Sequence, residues 1–504
     1  MLWRFPRAAV GAGLYSGKMR TPAAFLIFVL SLAIPAPARA QQAPAAVTIL
    51  HFNDVYEISA VEAGHTGGLA RLAKFRATLK TQHPNLITTL GGDYLSPSAL
   101  GTARVDGERL AGKQMVAVLN VLGLDWATFG NHEFDIGEAG LRARIAESKF
   151  RIVSSNVTDK NGKPFDGTVT HAVVPVKAGR RTVRIGLFGL TIDSNKQSWV
   201  RYAPPVESAR AAVAELQKEK VDAIVALTHL ALSSDRELTE QVPDIDLILG
   251  GHEHENWVIE RGPRFTPIVK ADSNVRTVAV VTLRIPAPPG RTAVPVPTRP
   301  DVTTKIVKID DTMQSDPRTV DEVRKWTDAA YAAFRAQGFE PDEVIKTVDR
   351  ALRGTEAAVR NGPTLLTDLI CDAMRHEAGT EIAVLNAGSI RIDDVLIPGP
   401  VTQLDVIRVL PFGGPVLRAT VTGALLSKVL AIGEQNKGSG GYLLYVGLPA
   451  KIDPAARYTV AVPDFLLTGG ERGLDFLKRD HPDVTDVKEL RDVRQALIDE
   501  IKRR

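Results

Sequence analysis

Short apolar runs alternate with amphipathic stretches between residues 46 and 285. The runs are rich in β-branched residues and predict strands over residues 47–53, 86–90, 126–129, 151–156, 183–190, 223–228 and 247–249. The stretches between them, such as 68–82 and 206–220, place apolar residues at helical spacing and predict helices. Strands that alternate with helices are typical of a layered α/β domain.

The pattern changes after residue 285. Residues 286–303 are rich in proline and form either a loop or a stiff connector. Residues 316–338 predict a long helix, with Pro317 in its first turn and Gly338 as its end. We therefore expect a linker over residues 286–343. A second domain follows over 344–504, and its short apolar strands and glycine clusters indicate an α+β fold.

The amino terminus predicts a targeting segment. Residues 24–35 are apolar, Lys18 and Arg20 precede them, and residues 38–40 form an A-x-A cleavage site. These features predict a signal peptide over 19–40, a true start at Met19 with residues 1–18 upstream of it, and an exported protein that is periplasmic or secreted. The apolar run is too short for a stable membrane span, and an uncleaved anchor is the alternative.

The composition is that of an ordinary soluble globular protein. Of the 504 residues, 44% are hydrophobic and 24% are charged, and the formal net charge is only +4. Lysine and arginine are scattered, which argues against a nucleic-acid polymer as the partner but not against a small anionic substrate. The single cysteine, Cys371, excludes an intramolecular disulfide and lies in a helix-like apolar pattern, so we expect a buried structural thiol.

Polar side chains follow five of the predicted strands. They belong to the segments His51-Phe-Asn-Asp54-Val-Tyr56, Gly91-Gly-Asp93, Gly130-Asn131-His132-Glu133, Thr228-His229 and Gly251-His252-Glu-His254. Side chains at the carboxyl ends of parallel strands converge on one crevice. Two divalent metals need a bridging carboxylate and several neutral nitrogen or oxygen ligands, and this set supplies them. His252 and His254 share one face if their segment is extended, and they can diverge if it forms a turn.

These five segments together resemble the calcineurin-like metallophosphoesterases, and more closely the exported bacterial family of 5'-nucleotidases and 2',3'-cyclic-nucleotide phosphodiesterases. The resemblance implies a four-layer α/β/β/α metallophosphoesterase domain over 46–285, joined by a helical linker to a smaller α+β substrate-binding domain. It also implies two metal ions. The ligands it assigns are Asp93 as the bridge, Asp54 and His254 on the first metal, and Asn131, His229 and His252 on the second. By the same resemblance, His132 acts on the substrate phosphate or the leaving group and is positioned by Asp135.

The first segment departs from the family pattern at Tyr56. The family usually has Asp-x-His there, whereas this chain has Asp54-Val-Tyr56. A neutral phenol is a poor ligand for a divalent metal, but a phenolate is a good ligand for a trivalent one. Either Tyr56 ligates and favours iron, or it points away or hydrogen-bonds a bound water beside two divalent ions, which are Mn, Zn, Co or Mg.

The second domain carries segments that resemble the family's substrate site. Asn386-Ala-Gly388-Ser-Ile-Arg391 follows an apolar run, and the planar fork of an arginine suits phosphate. In the family, the matching segment is richer in glycine and its arginine contacts the substrate. Leu410-Pro-Phe412 resembles a family turn.

Two further segments bear on the nucleobase. Tyr442 resembles an aromatic residue that stacks on the base, with burial in the core as the alternative. Leu474 stands where the family has a second clamp aromatic, and Phe476 could substitute for it.

We therefore predict metal-dependent hydrolysis of nucleotide phosphoesters by a metal-activated water that attacks phosphorus in line. The substrates would be 5'-mononucleotides, 2',3'-cyclic nucleotides or nucleotide sugars. One alternative is a hydrolase for a non-nucleotide ester, such as a sugar phosphate or a sulfur ester, which the altered clamp supports. Another is a non-catalytic binding protein, supported only by Tyr56. No oligomeric state follows from the sequence.

Overall fold

The structure, a computed structural model, describes residues 45–179, 181–286 and 299–504. The signal peptide predicted over 19–40 and residues 1–18 lie outside the described residues, as does most of the proline-rich segment. Within the described ranges, no helix is both long enough and apolar enough to cross a lipid bilayer.

Seven strands form the first sheet of the amino-terminal half. Five of them are parallel, and two antiparallel strands complete one edge. Across the sheet the order is Thr168–Val169, Arg151–Val153, Trp126–Ala127, Ile87–Leu90, Ala45–Phe52, Thr277–Ile285 and Asp301–Lys308. Parallel strands that are covered on both faces are mostly apolar along their length, and Ile87–Leu90 is buried throughout, including its two threonines.

Six strands form the second sheet, with four parallel strands between two antiparallel edge strands. Their order is His171–Ala178, Arg181–Thr191, Ala223–His229, Leu247–Gly250, Thr266–Lys270 and Trp257–Arg261. The two sheets face each other across a shared apolar core, to which Ile49 contributes from the first sheet and Val225 from the second.

Helices cover the outer face of each sheet. Leu69–Gln82, Lys113–Leu122 and Gly137–Glu147 pack on the first sheet, and Pro205–Lys218 and Leu232–Gln241 pack on the second. The amino-terminal half therefore has the predicted four layers, α/β/β/α. All seven predicted strands and both predicted helices are confirmed, with ends shifted by a few residues; the strand predicted over 183–190 is Arg181–Thr191.

The predicted linker helix forms as Pro317–Arg335. Asp316 caps its amino terminus because its carboxylate accepts a hydrogen bond from the backbone N–H of Thr319, and proline occupies the first turn. Phe334, near its carboxyl end, is fully buried. The helix thus packs against the protein and does not act as a free spacer.

A mixed five-stranded sheet forms the centre of the carboxyl-terminal half. Its order is Leu443–Val446, Ile382–Asn386, Arg457–Pro463, Pro415–Thr422 and Val484–Asp492. Leu365–Ala378 and Val493–Arg503 cover one face, and Gly423–Gln435 covers the other. The short helices Glu356–Val359 and Gln403–Val409 complete this half. Cys371 is buried inside Leu365–Ala378, as predicted.

Short strand pairs complete the described chain. They are Ala60–Val61 with Thr66–Gly67, Arg104–Val105 with Glu108–Arg109, Val157–Asp159 with Val200–Tyr202, Val344–Val348 with Gly399–Thr402, and Leu352–Arg353 with Val395–Leu396. The division into domains at 46–285, 286–343 and 344–504 stays a prediction. One apolar core continues from the helices of the first sheet through Phe334 to Leu365–Ala378, and the described residues belong to a single compact unit.

Candidate active site

The polar residues that follow the predicted strands meet at one edge of the two sheets. Asp54 follows Ala45–Phe52 and Asp93 follows Ile87–Leu90 in the first sheet, while His229 ends Ala223–His229 in the second. His229 Nε2 lies 3.1 Å from Asp93 Oδ2 and 3.9 Å from Asp54 Oδ1. One ligand atom from each of these three buried residues lies within 4.8 Å of the others, so a single cation can contact all three.

Two buried acceptor atoms at this edge fit a metal. Among the described residues, Asn131 Oδ1 has no hydrogen-bond partner, although buried polar atoms are normally paired. His229 Nδ1 donates to the carbonyl oxygen of Gly91 at 2.8 Å, so Nε2 is the ring nitrogen that faces the carboxylates of Asp93 and Asp54 and can bind a cation once it loses its proton. The oxygen and imidazole donors present here are those that divalent metal ions take.

His252 and His254 diverge from their loop. The His252 ring packs edge-on against the His229 ring, with centroids 5.2 Å apart. Burial, and then the charge of His229, lower the pKa of His252 to about 3, so its imidazole is neutral and able to ligate. His254 Nε2 lies instead 3.2 Å from Asp54 Oδ1. The turn that the sequence offered as one alternative is therefore the one that forms.

Tyr56 points into the same centre. Its hydroxyl lies 2.9 Å from His254 Nε2 and 3.3 Å from one carboxylate oxygen each of Asp54 and Asp93. The alternative that this side chain points away is wrong. Burial, and then the charges of Asp93 and Asp54, raise the pKa of Tyr56 well above its ordinary value. The phenol therefore keeps its proton unless a strongly polarising cation binds beside it.

Four residues of this centre have left-handed backbone conformations. The φ angles are 53° for Asp54, 53° for Asp93, 93° for His252 and 55° for His254. Such conformations cost of order 1–3 kcal/mol each in residues other than glycine, and they persist where the surroundings enforce them at functional sites. Here they lie in the loops that follow Ala45–Phe52, Ile87–Leu90 and Leu247–Gly250.

Glu133 holds two of these loops together. Its buried carboxylate accepts hydrogen bonds from the backbone N–H groups of Asp93 at 3.0 Å, Tyr94 at 2.7 Å and Leu95 at 3.0 Å, and from that of Gly130. A Cβ on Gly130 would lie 2.0 Å from Asp93 Oδ1. The glycine is therefore required by the close approach of the aspartate.

Lys270 supports the loop that carries His252 and His254. Its ammonium group is fully buried, donates to the carbonyl oxygen of Gly251 at 2.9 Å, and pairs with Asp235 at 2.8 Å and with Glu253. No motif marks this lysine in the sequence. Its position at the end of Thr266–Lys270, the neighbouring strand, brings it beneath the loop.

His132 and Asp135 form a hydrogen-bonded pair beside the carboxylates. His132 Nδ1 lies 2.7 Å from Asp135 Oδ2, and the backbone N–H of His132 donates to Asp93 Oδ1 at 2.8 Å. Asp135 also accepts from Ser96 Oγ at 3.1 Å and from Asn195 Nδ2 at 2.7 Å. Burial opposes the shift, but the charge of Asp93 and the bond to Asp135 raise the pKa of His132. The sequence predicted no role for Ser96 or for Asn195.

A cavity of about 560 Å³ adjoins this pair, because Asp135 forms part of its wall. The carboxyl-terminal half supplies Asn386, Gly388 and Arg391, three of the predicted substrate residues. Arg391 Nε is buried and has no hydrogen-bond partner in the part of the chain that the structure describes, and its guanidinium carbon lies 5.7 Å from the centre of the Phe412 ring. A buried guanidinium nitrogen without a partner is suited to an anionic oxygen.

The structure does not place Tyr442 and Phe476 at this cavity. Tyr442 immediately precedes the strand Leu443–Val446 and is buried in the apolar core. Burial in the core was the alternative that the sequence left open for this residue. The Phe476 ring lies beneath Lys428, whose Nζ is 3.7 Å from its centroid, and Leu474 is fully buried.

The aromatic residues that do line the cavity are Phe412 and Phe465, which are 49% and 43% exposed. Phe412 directly follows Pro411 in the turn after Leu410, and Phe465 lies two residues after Pro463, just beyond the strand Arg457–Pro463.

The fold and this site define the class of protein. A family model described as calcineurin-like phosphoesterase matches residues 47–256, and one described as 5'-nucleotidase, C-terminal domain matches residues 344–457. With the buried donor set at the edge of two sheets, these matches define a metal-dependent phosphoester hydrolase. More particularly, the chain belongs to the family that joins these two domains, the 5'-nucleotidases.

Individual relatives are similar along nearly the whole chain. The snake venom 5'-nucleotidase of Naja atra is 25% identical over 505 residues, which cover 86% of this chain and 92% of the relative. A 5'-nucleotidase precursor from Thermus thermophilus superposes with a TM-score of 0.72 at 22% identity, covering 91% and 96%. A sulfate thiohydrolase from the same organism superposes with a TM-score of 0.70 at 15% identity, covering 91% and 94%. At these identities the two solved structures show the fold alone.

Proposed function

We propose that the protein hydrolyses phosphoesters of nucleotides, with the phosphate at the centre formed by Asp54, Asp93 and His229 and the nucleoside in the adjoining cavity. The position of Asp135 is the main observation that supports this proposal. It orients His132 beside Asp93 on one side and lines the aromatic cavity on the other. A phosphate at the first site therefore has its leaving group directed at the second.

Two divalent ions fit the ligands, and Mn, Zn, Co or Mg are the candidates. Asp93 would contact both ions, Asp54 and His254 would hold the first, and Asn131, His229 and His252 would hold the second. When bound, they supply a water whose pKa is lowered towards about 7. Tyr56 then serves as a hydrogen-bond donor to that region; iron is the alternative if its phenolate ligates.

The chain's own residues orient and protonate the substrate. Arg391 pairs with the phosphate or with an oxygen near it, and its buried Nε supports this role. The side-chain amide of Asn386 is held in one orientation at the cavity wall, because its Nδ2 donates to Glu471 at 2.9 Å and its Oδ1 accepts from Ser389 at 2.6 Å. Asp135 holds the His132 proton on Nδ1 in the neutral ring, and the imidazolium can donate to the leaving oxygen.

The two exposed aromatic rings favour a nucleobase over a bare sugar phosphate. Stacking on an aromatic side chain contributes about 1–3 kcal/mol per base. The case for a non-nucleotide ester depended on a missing clamp aromatic, and Phe412 and Phe465 supply two aromatic rings at the cavity. The alternative of a non-catalytic binding protein depended on Tyr56 alone. Its hydroxyl lies among Asp54, Asp93 and His254, all of which keep their positions in the centre.

Export is part of the proposal. The apolar run at 24–35 and the A-x-A site at 38–40 support it, and one relative is a venom protein. Amino-terminal sequencing of the protein from its native host should find a start near Gln41; a start at Met1 or Met19 would contradict it.

A substrate panel tests the proposed activity. Enzyme reconstituted separately with Mn, Zn, Co and Mg is assayed on AMP, 2',3'-cyclic AMP, a nucleotide sugar, ribose 5-phosphate and an aryl sulfate. We expect kcat/KM for at least one nucleotide to exceed that for ribose 5-phosphate by about tenfold or more, the equivalent of one stacked base. Equal efficiency on AMP and ribose 5-phosphate, or a preference for the sulfate ester, would overturn the nucleotide assignment.

A further inference from the structure

His254 and Asp393 form a close hydrogen bond between the two halves of the chain. His254 Nδ1 lies 2.5 Å from Asp393 Oδ2, and both side chains are largely buried. A carboxylate can only accept, so the Nδ1 atom carries the proton. The lone pair of the neutral ring is then on Nε2, the atom that lies 3.2 Å from Asp54 Oδ1.

Asp393 is itself held firmly in place. Its second carboxylate oxygen, Oδ1, accepts from the backbone N–H of Glu356 at 2.9 Å, and its carbonyl oxygen accepts from Arg276 Nη2 at 3.2 Å. Its φ angle is 40°, a left-handed conformation that a flexible surface residue would rarely keep. The next residue, Asp394, is buried and pairs with Arg276 and Arg408 at 3.2 Å each.

Asp393 also belongs to the loop that carries the substrate arginine. It lies two residues after Arg391, which lines the aromatic cavity. In the same loop, the Arg391 side chain therefore faces the cavity, and the Asp393 side chain faces His254.

We propose that Asp393 is a positioning residue for His254, so that the carboxyl-terminal half completes the metal centre of the amino-terminal half. The inference rests on the proposed function in one respect, which is that His254 binds a metal through Nε2. A carboxylate that accepts from the remote nitrogen of a ligating imidazole fixes the tautomer and the ring orientation and raises the basicity of the ligand. Removing such a partner typically lowers metal affinity about 10- to 100-fold.

The test measures metal binding by the full-length protein without substrate. The protein is stripped with a chelator and titrated with Co²⁺, whose visible spectrum reports coordination, and the bound metal is counted by elemental analysis. In Asp393→Ser we expect one of the two ions to bind about 10- to 100-fold more weakly, with a changed Co²⁺ spectrum. Asp393→Asn can still accept from Nδ1 and should recover part of the loss. Wild-type affinity for both ions in Asp393→Ser would overturn the proposal.

Glu62→Gln is the matched control. Glu62 contacts Arg276 at 2.9 Å, in the same region where the halves meet, but does not contact His254. We expect its two metal affinities to equal those of the wild type. An equal loss in Glu62→Gln would show a general effect of the interface and would contradict a specific role for Asp393.

A double-mutant cycle separates positioning from folding. In a His254→Asn background there is no imidazole to orient, so adding Asp393→Ser should change metal affinity by less than about twofold. An undiminished loss in that background would overturn the proposal. The outcome is independent of turnover: a protein that binds two ions as described but cleaves no nucleotide refutes the proposed function and leaves this role standing.

Discussion

The hydroxyl of Tyr56 lies 2.9 Å from Nε2 of His254, the nitrogen that faces the Asp54 carboxylate. The phenol therefore occupies the centre where the proposed metal ligands converge. Its pKa is raised well above the ordinary value by burial and by the charges of Asp93 and Asp54. Both facts together favour a protonated phenol that donates a hydrogen bond within a site for divalent ions.

The prediction for Tyr56 concerns colour as well as rate. Active enzyme reconstituted with Mn, Zn or Mg should be colourless, whereas a ferric phenolate would absorb in the visible range. Tyr56→Phe should lose about tenfold in kcat, the equivalent of one hydrogen bond of about 1.4 kcal/mol. Absorption spectra and steady-state kinetics of both proteins measure this. A coloured, iron-dependent wild-type enzyme whose colour disappears in Tyr56→Phe would show instead that the phenolate ligates.

Phe412 and Phe465 should determine nucleoside affinity. Phe412→Ala and Phe465→Ala should each raise KM for AMP by about 5- to 150-fold, which corresponds to a loss of about 1–3 kcal/mol of stacking. The value of kcat/KM for ribose 5-phosphate should hardly change. Phe476→Ala is the matched control, because its ring lies beneath Lys428 and does not line the cavity. Equal effects of all three variants on KM for AMP would refute the assignment.

Metal affinity should depend on pH through His229. Burial alone would lower the pKa of His229, but the charges of Asp93 and Asp54 raise this pKa to about 9. The ring is therefore protonated at neutral pH when no cation is bound, and a metal ion must displace that proton. His229 keeps this proton until the pH approaches its raised pKa. The affinity for the metal ion should therefore increase with pH and level off near pH 9.

Titration with Mn²⁺ at several pH values measures the effect. We expect the association constant of the ion that contacts His229 to rise about tenfold per unit from about pH 6 to about pH 8. His252, whose pKa is lowered to about 3, is already neutral in this range and adds no slope. An affinity independent of pH over this interval would contradict the proposed competition.

Much of the metal centre could be predicted from the sequence. Asp54, Asp93 and His229 follow apolar runs that form parallel strands, and the geometry of such strands brings their carboxyl ends together. The order of apolar and polar positions thus predicted both the layered fold and the approximate position of the site. It did not predict the direction of the Tyr56 side chain, which follows a left-handed turn at Asp54.

Contacts between distant loops left no comparable signal. Asp393 meets His254 across 139 positions of the chain, and Asn195 reaches Asp135 across 60; neither lies in a motif, and only tertiary packing joins them. The predicted base-stacking residues differ from the aromatic residues at the cavity for another reason. The resemblance to the family pointed to Leu474 and Phe476, whereas the exposed ring of Phe465, which lines the cavity, lies nine residues before Leu474.

Phosphate release from a nucleotide by chelator-treated and metal-reconstituted enzyme, compared with Asp93→Asn, tests the central claim most directly. We expect chelation to abolish activity and divalent metal to restore it. Asp93→Asn should lower kcat at least about a thousandfold, since several kcal/mol of transition-state stabilisation depend on the metals. Asp166→Asn, which changes an exposed loop aspartate, should retain full activity. Activity that survives chelation, or an Asp93→Asn enzyme that turns over like the wild type, would contradict a metal-dependent hydrolase centred on Asp93.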